Sequence, residues 1–209
     1  MLDYVKIIQI LRLRKIMSSY KPSMHLGSVA EIDPVLVSTL YPELQAVAFD
    51  IDKTLLGQHE AIIPERNMEA LLALSSLGLR IGIISNAVTQ EREDRVIKLS
   101  FDIGYSIGAK VEYVTAFMVG GQRKPARPIF DELSNRFKIP NREICYVGDQ
   151  LFKDIHGANK AGYGATILVA PYGEGDHPGV KYLQRPAESL VRPFVGLPFL
   201  ARNIGRKRI

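Results

Sequence analysis

Asp50 and Asp52 end an apolar run in the segment Phe49-Asp50-Ile51-Asp52-Lys53-Thr54, two residues apart, and a hydroxyl follows two positions later. A carboxylate held at a strand end can attack phosphorus in line and form an acyl phosphate, which divides one hydrolysis into two easier transfers. A second carboxyl nearby can protonate the leaving alkoxide and later take a proton from the attacking water; crowding beside another carboxylate and a metal tunes such a group. Asp50 suits the first role and Asp52 the second. Acids at this spacing can equally start a loop and cap a turn.

A second acidic pair lies in Val147-Gly148-Asp149-Gln150-Leu151-Phe152-Lys153-Asp154. Glycine permits a tight exit from a strand, and acids five residues apart across the first turn of a helix can converge on one hard cation. Mg²⁺ fits best there, because it needs only a few carboxylates, keeps waters and neutralises charge on a transferring group. Favourable interaction with a helix N-terminus is the other reading of these acids. Ser85-Asn86 offers a hydroxyl and an amide to phosphoryl oxygens, with the N–H groups of a following helix behind them. The same dipeptide is also an ordinary turn. Lys124, followed by Pro125, offers a compact positive charge to a phosphoryl group and to a nucleophilic carboxylate. Its neighbours Arg123 and Arg127 leave a solvated basic cluster as the alternative.

The elements that must position these residues follow from hydropathy. Residues 45–50 (QAVAFD), 80–85 (RIGIIS), 111–115, 144–147 and 165–170 read as strands. Helices are expected from Pro64 to Gly78 and over residues 89–99, 126–137 and 151–161. Strands rich in Val and Ile, separated by helices, predict an α/β fold with a central parallel sheet flanked by helices on both faces. Ligands in such sheets bind beyond the carboxyl ends of the strands, where strand order reverses. Every candidate residue falls at a strand end or a helix start.

Together the four segments resemble the four motifs of the haloacid dehalogenase (HAD) superfamily phosphatases, in family order, over about residues 45–170. The resemblance implies a Rossmann-like fold with Asp50 as nucleophile and Asp52 as general acid/base. It makes Ser85 and Lys124 the phosphoryl-binding pair, with Thr54 and Asn86 beside them. It also implies Mg²⁺, bound by Asp149 with Asp50 and the backbone carbonyl of Asp52, while Asp154 steadies the site or the metal shell. An acid two residues after the nucleophile favours phosphoryl hydrolysis over dehalogenation. Only 30 residues, 55–84, separate the first two motifs and 37, 87–123, the next two. An inserted cap domain needs at least ~50 residues. The expectation is therefore a fold with no cap domain and an open site, resembling subclass III, whose substrates are often too bulky to enclose. Gly-Asp-Gln-Leu-Phe-Lys-Asp followed by residues 158–163 (ANKAGY) looks like the YqeG-type and phosphatidylglycerophosphate phosphatases, whose basic lead also matches Lys21-Pro22-Ser23. The implied substrate is a lipid phosphate such as phosphatidylglycerophosphate. A soluble or protein substrate is the alternative, as is a non-catalytic HAD-like scaffold binding protein or RNA.

The 209 residues, 46% hydrophobic and 23% charged, suffice for one domain with a buried core and exclude wholesale disorder and fibrous repeats. The net charge of +5 belongs to the ends: residues 1–21 carry +4, residues 192–209 carry +5, and the body carries −4. Basic ends on an acidic body point to an anionic surface such as a membrane. Residues 2–17 read as a basic N-terminal amphipathic helix, with Leu2, Val5, Ile8, Leu13 and Ile16 among Lys6, Arg12, Arg14 and Lys15. Such a helix can lie in a membrane interface, or cover the domain's own core or a partner. Nucleic acid gains no support, since no aromatic stacking stripe or binding module accompanies the charge. The expected organisation is a lead-in at 1–40, a phosphatase-like domain at 41–175 and a loop-rich basic tail at 176–209. A single cysteine, no cleavable leader and no run of 18 uncharged apolar residues predict a cytoplasmic protein, peripheral at the membrane if associated with it. Cys145 reads as a core residue, and His25, His59, His156 and His177 lack metal-ligand spacing.

Overall fold

The computed structural model describes residues 17–58, 60–173 and 180–197. The chain divides into two compact units, residues 22–174 and a smaller one drawn from residues 1–21 and 175–209.

In the larger unit, β1 (Met24–Leu26), β2 (Ala46–Phe49), β3 (Arg80–Ser85), β4 (Glu112–Thr115), β5 (Ile144–Gly148) and β6 (Ala165–Val169) form one sheet. Every neighbouring pair is parallel, in the spatial order β1, β6, β5, β2, β3, β4. Helices α1 (Pro34–Leu40), α2 (Glu65–Ser76), α3 (Gln90–Ile107), α4 (Arg127–Phe137) and α5 (His156–Ala161) lie between the strands in sequence. Alternation along β2 sends Val47 and Phe49 to one face and Ala46 and Ala48 to the other. The first face packs with Ile83, Val147 and Ile167 against Leu71, Leu74, Val96, Leu99 and Ile103 of α2 and α3. The second packs with Ile84, Val114 and Tyr146 against Ile129, Phe130 and Leu133 of α4 and Ala158 of α5. The sheet is thus buried on both faces, which is why its strands read as continuous apolar runs. Sequence order reverses between β2 and β5, with β3 and β4 continuing on one side and β6 on the other. The carboxyl ends of β2 and β5 therefore form the crevice.

Several elements differ from the sequence expectation. The helix expected over 89–99 runs on to Ile107, because Val96, Leu99, Ile103 and Ile107 continue one buried stripe until Gly108, at φ 66°, ends it. The expectation missed β1, a half-exposed edge strand too short to show a period; it is held in part by Thr166 N–H donating to Ser23 Oγ at 3.0 Å. It also missed α1, although Asp33 caps it by accepting from Val35 N–H at 2.9 Å and Leu36 N–H at 3.1 Å, with Pro34 at its first turn. The helix expected over 151–161 opens with one wide turn, Leu151–Ile155, before α5. Neither connection, 55–84 nor 87–123, carries an inserted domain.

In the smaller unit, residues 180–195 are helical, with α6 (Arg185–Val191) at the centre, where a loop-rich tail was expected. Arg185 pairs with Glu188 within it at 3.3 Å. The amphipathic helix expected over 2–17 lies outside the described residues except for its last position, and His59 and His177 lie outside them too. Among the described residues, no helix is long and apolar enough to cross a membrane.

Candidate active site

Asp50 is the first residue past β2, tied down by its N–H donating to Val147 O at 2.9 Å across to β5. Its carboxylate meets Lys124, whose Nζ donates to Asp50 Oδ1 at 2.5 Å, Asp154 Oδ1 at 2.7 Å and Tyr146 Oη at 2.9 Å. An ammonium has three N–H donors, and all three are used. Lys124 is 4% exposed, so it is no part of a solvated basic cluster. Its main chain is held from the motif 38 residues earlier, where Asn86 Oδ1 accepts from Lys124 N–H at 2.7 Å. Burial pulls the lysine down, but Asp154 and Asp50 outweigh it and hold the ammonium above the ordinary lysine range. Burial pushes the Asp50 carboxyl well above the usual carboxylate range, with Asp154 and Asp149 adding to it and Lys124 opposing.

Asp50, Asp149 and Asp154 are all buried, and each offers an oxygen within 4.8 Å of the others. The wide turn after β5 brings Asp154 back towards the strand end. Ile155 N–H reaches Gln150 O at 3.2 Å, and Asp154 Oδ2 accepts from Gln150 N–H at 2.9 Å. Both Asp154 oxygens therefore already accept from protein donors, which makes this residue first an anchor for Lys124. Only glycine fits at 148, since a Cβ there would lie 2.5 Å from both Cβ and Cγ of Asp154. Gly148→Ala should consequently cost about 1–3 kcal/mol in urea unfolding through overpacking. An unchanged midpoint and slope would mean that Asp154 is not fixed where it stands.

The other candidates occupy distinct places. Asp52 meets a cation from another element. The chain turns after β2, with Lys53 at φ 68°, and the Asp52 carboxylate pairs with Arg95 of α3 at 2.8 Å, about a third exposed. Thr54 is buried, and its Oγ1 has no hydrogen-bond partner among the described residues. Ser85 is buried at the end of β3. Asn86 uses its Oδ1 to hold Lys124 N–H, and the group it could offer to a phosphoryl oxygen is its Nδ2.

Two participants escaped the sequence reading. Tyr146 sits inside a fully buried strand and reads as core, yet its hydroxyl joins Lys124 and also donates to Asp154 Oδ1 at 3.3 Å. Burial, then Asp154 and Asp50, push its phenol well above the ordinary tyrosine range. A tyrosine on β5 facing α4, the helix that begins three residues after Lys124, was the only signal. Arg95 gave none, being one of several cations on an amphipathic helix.

Comparison with known proteins agrees with this architecture. The sequence model of the haloacid dehalogenase-like hydrolase family matches residues 55–162. A glyceraldehyde 3-phosphate phosphatase from Methanopyrus kandleri is 32% identical over 128 residues, covering 57% of this chain and 52% of that protein. The probable phosphatase YqeG of Bacillus subtilis is 26% identical over 133 residues, covering 64% of this chain and 68% of that one. The chain spans about half or less of the length of the glyceraldehyde 3-phosphate phosphatases it matches. A solved structure from Listeria monocytogenes serotype 4b has the same fold at 24% identity and a TM-score of 0.50, covering 64% of this chain and 85% of that one. With more than half of its residues matched by the family model on a doubly covered parallel sheet, the chain belongs to the haloacid dehalogenase-like hydrolases.

Proposed function

We propose that this chain is a Mg²⁺-dependent phosphomonoesterase working through an aspartyl-phosphate, acting on a lipid phosphate such as phosphatidylglycerophosphate at the cytoplasmic periphery of a membrane. The observation that carries the catalytic part is the buried cluster of Asp50, Asp149 and Asp154 around Lys124. Three carboxylates against one ammonium leave a surplus of negative charge, and an all-oxygen donor set fits a hard divalent cation. Asp50 and Asp149 would hold Mg²⁺ with the main-chain carbonyl of Asp52, and Asp154 would steady them. When bound, the ion supplies charge neutralisation to the phosphoryl oxygens.

The chain's own residues account for the remaining steps. Asp50 attacks phosphorus with the oxygen that Lys124 does not hold. The bond from phosphorus to the leaving oxygen breaks as Asp52, in its acid form, gives that oxygen its proton. Lys124 stays charged and faces the growing negative charge, while the Thr54 and Ser85 hydroxyls are available as donors to phosphoryl oxygens. In the second half Asp52 takes a proton from water as its oxygen attacks phosphorus. The bond to Asp50 then breaks and inorganic phosphate leaves, with the Asp52 proton restored.

An aryl phosphate assay tests the catalytic part. Hydrolysis should require Mg²⁺ and stop with EDTA, and Mg²⁺ at 100 times its Kd should stabilise the wild type by about 2.7 kcal/mol. Asp149→Ala should lose both effects while remaining folded, because removing one of several crowded acids relieves repulsion. Equal rates with Mg²⁺ and EDTA would sink the reading.

The lipid part is supported by the basic ends and by the smaller unit, where Tyr182, Leu183, Leu190 and Phe194 are exposed. The names of the glyceraldehyde 3-phosphate phosphatases favour a small soluble substrate instead. A screen should therefore set phosphatidylglycerophosphate in liposomes beside glyceraldehyde 3-phosphate, nucleotides, sugar phosphates and phosphopeptides. The highest kcat/KM on a soluble compound would remove the lipid part and leave the catalytic part standing.

A further inference from the structure

We infer that the groove between the start of α3 and the loop after β2 is an anion subsite beside the reacting centre, taking a phosphomonoester that bears a second negative group, a phosphodiester or a carboxylate. The inference rests on the phosphomonoesterase reading above and names the substrate class of that same site. The groove has a volume of about 460 Å³, and its walls include Gln58, Glu60, Arg92, Arg95 and Lys98. Arg92, Arg95 and Lys98 recur every third residue, so they share one side of α3 over ~9 Å. Like charges at that spacing repel and gain nothing for the helix. Arg92 and Lys98 are exposed, and neither has an ion-pair partner among the described residues.

Two acids, Glu60 and Glu91, share the groove wall with these cations, and among the described residues neither is ion-paired with Arg92 or Lys98. Glu60 keeps its charge but turns its carboxylate to its own loop, where Oε2 accepts from Gly57 N–H at 3.0 Å. Glu91, in the first turn of α3, is the remaining acid on the groove wall. Arg95 joins the groove to the chemistry: Nη1 donates to Asp52 Oδ1 at 2.8 Å and Nη2 to Glu60 O at 2.9 Å. A substrate whose leaving oxygen lies at Asp52 therefore extends past Arg95 into a wall with two unspent cations. A second anion on the leaving group meets charge there; a neutral leaving group does not.

Two measurements on the full chain test this. The first compares para-nitrophenyl phosphate with its ring-carboxylated analogue and with a short-chain, soluble phosphatidylglycerophosphate, which carries a phosphodiester. The wild type should prefer an anion-bearing substrate by about tenfold in kcat/KM, within reach of two exposed ion pairs. The double variant Arg92→Gln/Lys98→Gln should erase the preference through KM rather than kcat. The preference should also shrink between 0.1 M and 1 M salt, as the Debye length falls from ~10 Å to ~3 Å. A gain on one analogue alone supports the subsite and identifies its anion.

The second measurement is calorimetric binding of benzylphosphonate and its carboxylated analogue in Mg²⁺, neither of which can be hydrolysed. Wild type should bind the carboxylated compound about tenfold more tightly, and the double variant should not. No preference in the wild type, or the same preference in the variant, overturns the subsite. If a folded wild type hydrolyses no aryl phosphate, the phosphomonoesterase reading fails, and the calorimetric comparison alone still decides whether the groove selects a second anion.

Discussion

Replacing Asp50 with asparagine should lower phosphomonoester turnover by about 10⁴-fold or more, the loss typical of removing a covalent nucleophile. An amide keeps the shape of the side chain and its N–H anchor to Val147, so geometry is not what is lost. The amide oxygen cannot form an acyl phosphate that water then cleaves. Folding should survive. The Asp50 carboxyl is pushed up by burial and by Asp154 and Asp149, so its removal eases crowding, while Lys124 keeps Asp154 and Tyr146 as partners. Initial rates on an aryl phosphate and thermal melts, with and without Mg²⁺, check both halves. A variant within tenfold of wild type would remove Asp50 as nucleophile. A variant that fails to fold would show the residue to be structural first.

Lys124→Met should produce the largest loss of stability among the site residues. Methionine keeps the length of the stem but leaves Asp50, Asp154 and the Tyr146 hydroxyl around an uncharged thioether. Breaking a buried ion pair by removing one partner costs about 3–5 kcal/mol. For a chain of this size that lowers Tm by about 10 °C. A solvated lysine at a loop would change stability by no more than about 0.5 kcal/mol, so the two accounts separate cleanly. Added Mg²⁺ should restore part of the stability, because the three carboxylates regain a counter-charge. It should not restore turnover, which also loses the fixed cation facing the phosphoryl group, worth about 10²–10³-fold. Urea unfolding with and without Mg²⁺ measures the first effect and initial rates the second. A melt indistinguishable from wild type would contradict the burial of Lys124.

Asp50, Ser85, Asp149 and the parallel α/β sheet were legible in the sequence because their signals are local. Strands buried on both faces must be continuous apolar runs, helices between them show their caps and stripes, and a polar residue ending an apolar run must sit at a strand end. Once the strands are parallel, their carboxyl ends share one edge of the sheet, so these residues gather there whatever the packing details. The partners were legible only in part. The sequence offered Lys124 to the nucleophilic carboxylate but left a solvated cluster with Arg123 and Arg127 open; the docking of α4 against β5 decides for burial, 74 residues from Asp50, and supplies Tyr146. Asp52 gave its spacing but not its direction, which the turn at Lys53 and the packing of α3 decide by bringing Arg95 within 2.8 Å. The edge strand β1 was hidden because three half-exposed residues carry no period of their own and become a strand only when β6 offers its open edge. Hydropathy constrains which face of an element is buried, but which of several charges meet across that face depends on how whole elements pack, and that information is spread over the entire chain.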